Sequence, residues 1–209
     1  MHMLQFITHP SPRFSITEEV RLVLEGGCKW IQLRMKDASY DEMRATALEI
    51  IPLCKENDAI MVIDDNVKLT EELRVHGVHL GKNDMPPRQA REELGPHAII
   101  GVTANTADDI LAMRGIDVDY VGLGPFRFTT TKSALSPVIG LDGYRDIMSA
   151  IRAAGSELPV VAIGGITLDD ITPLMETGVN GVAMSGAIIN APDPTDYTAK
   201  VIEALNRYQ

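Results

Sequence analysis

The chain has 209 residues, 45% of them hydrophobic and 23% charged, with a formal net charge of −10. That length suits one domain, residues 1–209, with a core large enough to need no disulfide staples, and the composition excludes disordered and fibrous classes. The acidic balance argues against nonspecific nucleic-acid binding, so any anionic ligand must be met by basic residues or a metal gathered locally.

No apolar run reaches the ~18 residues of a membrane helix. The N-terminal MHMLQFITHP lacks a basic region and reads as a first strand rather than a signal peptide. Cys28 and Cys54 fall in no metal or redox spacing. The expectation is a reduced, cytoplasmic protein with core thiols.

In chain order, the first apolar run begins at Leu4. Ser15 and Glu18 then form a capping-box pattern, followed by Val20, Val23 and Leu24 as an apolar stripe. A second run begins at Trp30, and Ser39 with Glu42 repeats the capping signal. Runs follow at Ala59, Gly77 and Ala98, with Pro86-Pro87 placed to open a helix before the last of these. Thr106 with Asp109 starts a segment carrying Ile110 and Leu111. Runs at Tyr120, Val160 and Gly181 complete the series, with Thr167 and Asp170 as a further start signal.

The runs number eight; they are short, Val/Ile-rich and apolar on consecutive positions. Strands buried on both faces of a parallel sheet have this pattern. Alternation with helices predicts an α/β fold, a small (β/α)8 TIM barrel. A doubly wound open sheet is the alternative, but eight strands in this length favour the barrel. Thr8, Arg34, Asp64, Asp65, Thr103, Gly124, Gly164 and Ser185 all fall at the C-terminal ends of the runs. In a barrel those ends share the active-site face.

Four groups at those ends suggest chemistry. Gln32, Arg34 and Lys36 alternate along the end of the second strand and can share a side. An inward cation there calls for an anionic partner. Asp64, Asp65 and Asp84 end adjacent strands and would repel one another without a cation; a hard ion such as Mg2+ resolves this. Asp64-Asp65 also reads as an acidic helix start. His76 and His79 have a zinc-like spacing, but in a strand it separates their faces, so they are not taken as ligands. Thr129-Thr130-Thr131-Lys132, in the long gap after the sixth strand, can hold a phosphate or form a polar surface loop. Gly164-Gly165 and Ser185-Gly186 follow the last two strands, where barrels often bind phosphate. Two anion sites result, with Lys132 between them. They imply two phosphorylated small substrates, or one long one.

These residues resemble the thiamin phosphate synthase family over roughly Leu4 to Pro194. The carrying stretches are Gln32-Leu-Arg-Met-Lys36, Ile63-Asp-Asp65, Gly77-Val-His-Leu-Gly-Lys-Asn-Asp84, Ile100-Gly-Val-Thr103, Asp119-Tyr-Val-Gly-Leu-Gly-Pro125, Thr129-Thr-Thr-Lys132 and Ala162-Ile-Gly-Gly-Ile166. The resemblance implies a Mg2+-dependent transferase. It would join 4-amino-2-methyl-5-hydroxymethylpyrimidine diphosphate to a thiazole phosphate, carboxylated or not, and release pyrophosphate. It further implies that Gln32, Arg34, Lys36, Asp64, Thr103 and Lys132 hold the pyrimidine diphosphate, with Lys132 and Thr103 catalytic. Asp65 and Asp84 would bind the metal. Thr129, Thr131, Gly165, Ser185 and Gly186 would hold the thiazole phosphate.

Asp64 stands where the family usually has Asn, and Thr103 where it usually has Ser. A charge at position 64 is expected to be repelled by the diphosphate or recruited to the metal. A related tautomerase branch tends to lack the metal carboxylates and the loop lysine, whereas this chain keeps Asp65, Asp84 and Lys132. A tautomerase and a non-catalytic precursor-binding barrel remain the alternatives. No membrane or nucleic-acid partner is expected, and a homo-oligomer is left open.

Overall fold

A computed structural model describes residues 2–128 and 137–208. Eight parallel strands close a barrel in sequence order: β1 (Leu4–Ile7), β2 (Trp30–Leu33), β3 (Ile60–Asp64), β4 (Gly77–Leu80), β5 (Ile99–Ala104), β6 (Tyr120–Leu123), β7 (Val160–Ile163) and β8 (Gly181–Met184). The open-sheet alternative is excluded, because β1 pairs with both β2 and β8.

The principal helices are α1 (Ile16–Glu25), α2 (Tyr40–Glu56), α3 (Val67–Leu73), α4 (Pro87–Leu94), α5 (Ala107–Leu111), α6 (Gly140–Ala153), α7 (Ile171–Met175), α8 (Gly186–Ile189) and α9 (Pro194–Leu205). Their starts follow from the sequence. The capping boxes at Ser15/Glu18, Ser39/Glu42 and Thr106/Asp109 form, and at Thr167 the Asp170 carboxylate accepts from the threonine N–H at the start of a short 3-10 turn before α7. Each lets a side chain satisfy an amide that the first helical turn leaves without a partner. Pro86 and Pro87 open α4. The long gap after β6 closes with helix α6.

The core has two layers. The larger lies between sheet and helices and includes Val20, Val23, Leu24, Cys28, Ile50 and Cys54. Both cysteines are buried free thiols. The smaller fills the barrel interior with Ile7, Trp30, Tyr120, Val161 and Ala183. No described helix is long and apolar enough to cross a membrane.

One buried group is poorly matched to this core. Glu19, on α1, is fully buried. Its Oε2 accepts the His9 amide N–H at 3.2 Å, while Oε1 has no partner among the described residues. Desolvation pushes its carboxyl up to about 7. The native state therefore keeps a proton that the unfolded chain has lost between about pH 4.5 and 7. Stability conferred at low pH falls as pH rises through that window. We expect Glu19→Gln to flatten this slope and to stabilise the protein at pH 8 by on the order of 1–2 kcal/mol. Urea unfolding at pH 5 and pH 8 checks this; an unchanged slope in the variant would contradict it.

Candidate active site

The polar strand ends meet at one mouth of the barrel. Arg34, just past β2, is only 7% exposed. Its backbone is strapped to β1 by Thr8, which is fully buried. The Thr8 hydroxyl donates to Arg34 O at 3.0 Å and accepts from Arg34 N–H at 2.8 Å. The guanidinium Nε lies 3.3 Å from Asp64 Oδ2. Gln32, one pleat earlier, donates from Nε2 to Asp64 Oδ1. Asp64 is thus tied to Arg34 and Gln32. An ionised carboxylate only accepts, so Gln32 must turn its nitrogen to Asp64. That leaves Gln32 Oε1 buried, with no partner among the described residues.

The next residue points elsewhere. Asp65 has φ 63°, a left-handed conformation that Asp tolerates better than most residues. Its N–H donates to His79 O at 2.8 Å. The kink sends its carboxyl toward Asp84, so that both carboxyls converge beside Gly81. Asp84 is itself anchored, since Oδ2 accepts Gly81 N–H at 2.7 Å. A Cβ at Gly81 would meet that oxygen at 2.6 Å, so a glycine suits the close approach. Asp65 is exposed at the mouth, with the Asp84 carboxyl close by. Desolvation first, then the charge of Asp64 and the neighbouring Asp84 carboxyl, push it up to about 7.

Asp65 and Asp84 therefore form a carboxylate pair in which Asp65 is held well above the usual carboxylate range. No group of three or more His, Cys, Asp or Glu suited to a metal occurs among the described residues. A pair nevertheless fits Mg2+, which is commonly held by one or two carboxylates with water and substrate phosphate completing the shell. Beside the pair is a cleft of about 370 Å³, lined by Lys36, Asp64, Asp65, Lys68, Met35 and Met85. His76 is exposed and outside this group; its Nδ1 accepts Met61 N–H. His79 points into the barrel, as the strand spacing predicts, and touches Thr103 Oγ1 at 3.0 Å.

On the far side of the mouth, Gly164 and Gly165 have φ 102° and 69°. Arg127 locks this turn. It donates to Gly165 O at 2.7 Å and pairs with Asp170 through both terminal nitrogens. Ser185 precedes Gly186, the first residue of α8, and its Oγ is buried with no partner among the described residues. Thr129, Thr131 and Lys132 lie outside the described residues. Sequence reasoning missed Arg127 and the strapping role of Thr8. An arginine in a loop and a threonine at a strand end carry no distinguishing pattern.

A family model described as thiamine monophosphate synthase matches residues 4–188. The chain belongs to that family. A thiamine-phosphate synthase of Bacteroides thetaiotaomicron is 56% identical, over 97% of each chain. One from Bacteroides fragilis is 55% identical, over 97% of this chain and 99% of that one. A solved thiamine phosphate pyrophosphorylase from Pyrococcus furiosus superposes with TM-score 0.86 at 33% identity. The superposition covers 99% of this chain and 96% of that one.

The proximity of Asp64 to Asp65 has a direct consequence. Asp64→Asn removes a negative charge beside Asp65 and frees Arg34 to act on it. We expect the Asp65 pKa in metal-free protein to fall by about one unit. Carboxyl 13C NMR across pH 4–9 reads the shift; an unmoved titration would show that Asp64 does not bear on the pair.

Proposed function

We propose that this enzyme condenses an aminopyrimidine methyl diphosphate with a thiazole phosphate to give thiamin phosphate and pyrophosphate. The observation that carries the reading is the buried Arg34–Asp64–Gln32 set beside the Asp65–Asp84 pair, within a family of thiamine monophosphate synthases. The set joins a cation for a leaving diphosphate, an acceptor for an amino group and two carboxylates for a metal.

In this reading Gln32 Oε1 accepts from the pyrimidine amino group. Arg34, Lys36 and Lys132 face the diphosphate, and Asp65 with Asp84 hold Mg2+. Thr129, Thr131, Gly165, Ser185 and Gly186 hold the thiazole phosphate. Asp64 serves through Arg34 and Gln32 rather than by touching the diphosphate. When bound, Mg2+ would supply positive charge to the diphosphate oxygens.

The chemistry asks little covalent work of the protein. The C–O bond to the diphosphate breaks and its electron pair leaves with pyrophosphate. The amino-substituted ring stabilises the methylene cation, and the thiazole nitrogen captures it with its lone pair. The protein positions the two rings and neutralises the departing charge. The low-dielectric mouth makes Arg34 more effective than a solvated cation would be. It also reconciles an acidic protein with anionic substrates, because the positive potential is local.

The test is to incubate both precursors with and without Mg2+ and to measure thiamin phosphate and pyrophosphate. Equal amounts of both products, formed only with the metal, are expected. Turnover of a thiazole alone without metal would support a tautomerase; binding of both without release of pyrophosphate would support a binding protein. Asp65→Asn and Asp84→Asn should each lower turnover by at least ~100-fold while the fold survives. Near-normal rates in both at limiting Mg2+ would remove the metal assignment.

A further inference from the structure

Inside the barrel, below the mouth, runs a second polar column. Gln5 on β1, Tyr120 on β6 and His79 on β4 are all nearly inaccessible to solvent. Gln5 Nε2 donates to Tyr120 Oη at 2.9 Å. Tyr120 Oη lies 2.9 Å from His79 Nδ1, and His79 Nε2 lies 3.0 Å from Thr103 Oγ1. Thr103 is at the C-terminal end of β5 and is half-buried.

The column is sterically built in. A Cβ at Gly101 would lie 2.1 Å from the Tyr120 ring, and one at Gly122 would lie 3.1 Å from the His79 ring. Two neighbouring strands thus carry glycine where these rings fill the interior. Trp30 packs edge-on against Tyr120 at 4.7 Å and fixes its plane.

Proton counting gives the column a direction. A phenol has one proton and can accept as well. Here its oxygen accepts from Gln5, and among the described residues its other partner is His79 Nδ1, so a phenol proton that finds an acceptor goes there. An Nδ1 that accepts is unprotonated, which places the imidazole proton on Nε2. Nε2–H then donates to Thr103 Oγ1. The Thr103 proton is left for a further acceptor. Burial drives the Tyr120 phenol far above its ordinary pKa, so it remains a donor throughout the working range.

We propose that Gln5, Tyr120 and His79 are positioning residues that aim the Thr103 hydroxyl as a donor at a ring nitrogen of the pyrimidine. The identity of the ligand rests on the proposed function; the direction of the column does not. Gln32 Oε1, buried without a partner among the described residues, is the acceptor in this reading, and the Thr103 hydroxyl is the donor. An aminopyrimidine edge presents the complement, an N–H beside a ring nitrogen. An oxo-pyrimidine, with acceptor and donor exchanged, is mismatched at both points.

The experiment is long-range 1H–15N correlation of the histidine rings in the intact, ligand-free protein at neutral pH. The His79 signal is assigned by its loss in His79→Gln. We expect a neutral ring protonated on Nε2. In Tyr120→Phe, which keeps the ring but removes the donor, the Nδ1–H form should gain population. The KM for the pyrimidine diphosphate should then rise about tenfold, while that for the thiazole phosphate stays within about twofold. A wild-type ring protonated on Nδ1, or on both nitrogens, would overturn the proposal. So would Tyr120→Phe raising both KM values alike, since that is the pattern of a loosened barrel. If Tyr120→Phe does not fold, the wild-type spectrum alone decides. A wild type that forms no thiamin phosphate but shows the Nε2–H ring would sink the functional reading and still support the column.

Discussion

Arg34 is a cation held almost out of reach of water, and the site is arranged around it. An isolated buried charge is too costly to keep, so it needs an answering charge and a fixed backbone. Asp64 supplies the first and Thr8 the second. Because Asp64 only accepts, it also orients Gln32. Its charge then presses on Asp65 and raises the carboxyl pKa there. One arginine thus ties β1 to β2 through its backbone and β2 to β3 through its guanidinium, and the Asp64 charge carries the effect on to Asp65.

The same constraint governs the barrel interior. A closed parallel sheet shields its interior from solvent, so a polar group placed there costs stability unless it finds a partner. Gln5, Tyr120, His79 and Thr103 pair in sequence. Gln32 Oε1 and Ser185 Oγ are buried without partners among the described residues. Such orphans cost stability unless a ligand answers them, and both lie where the resemblance places substrate. Glu19 Oε1, another such orphan, belongs to α1 and the Glu19 carboxyl takes up a proton instead.

The barrel was legible because its signals are local and repeated. Eight Val/Ile runs gave the strand starts to within a residue, as Ala59 against Ile60 and Ala98 against Ile99 illustrate. Capping boxes at Ser15 and Ser39 gave the helix starts. The gathering of Gln32, Arg34, Asp64, Asp65 and Asp84 at one mouth followed from strand ends sharing a face. What the sequence concealed is directional. Nothing local distinguishes Asp64, which turns to Arg34, from Asp65, which turns away through a left-handed φ. Tyr120 opens β6 and reads as an ordinary core aromatic, and only the closed barrel brings it to Gln5 and His79, far away in the chain. Arg127 likewise acquires meaning only when β6 and β7 lie side by side.

The central claim is that the mouth holds a metal–diphosphate pair between Arg34 and the two carboxylates. A crystal grown with Mn2+ in place of Mg2+ and with inorganic pyrophosphate tests it most directly, since Mn2+ can be located by anomalous scattering. The account predicts one strong peak within coordination distance of Asp65 and Asp84, with pyrophosphate oxygens bridging from it to Arg34. A peak at any other carboxylate group, or pyrophosphate bound at the Gly164-Gly165 turn without the ion, would contradict it.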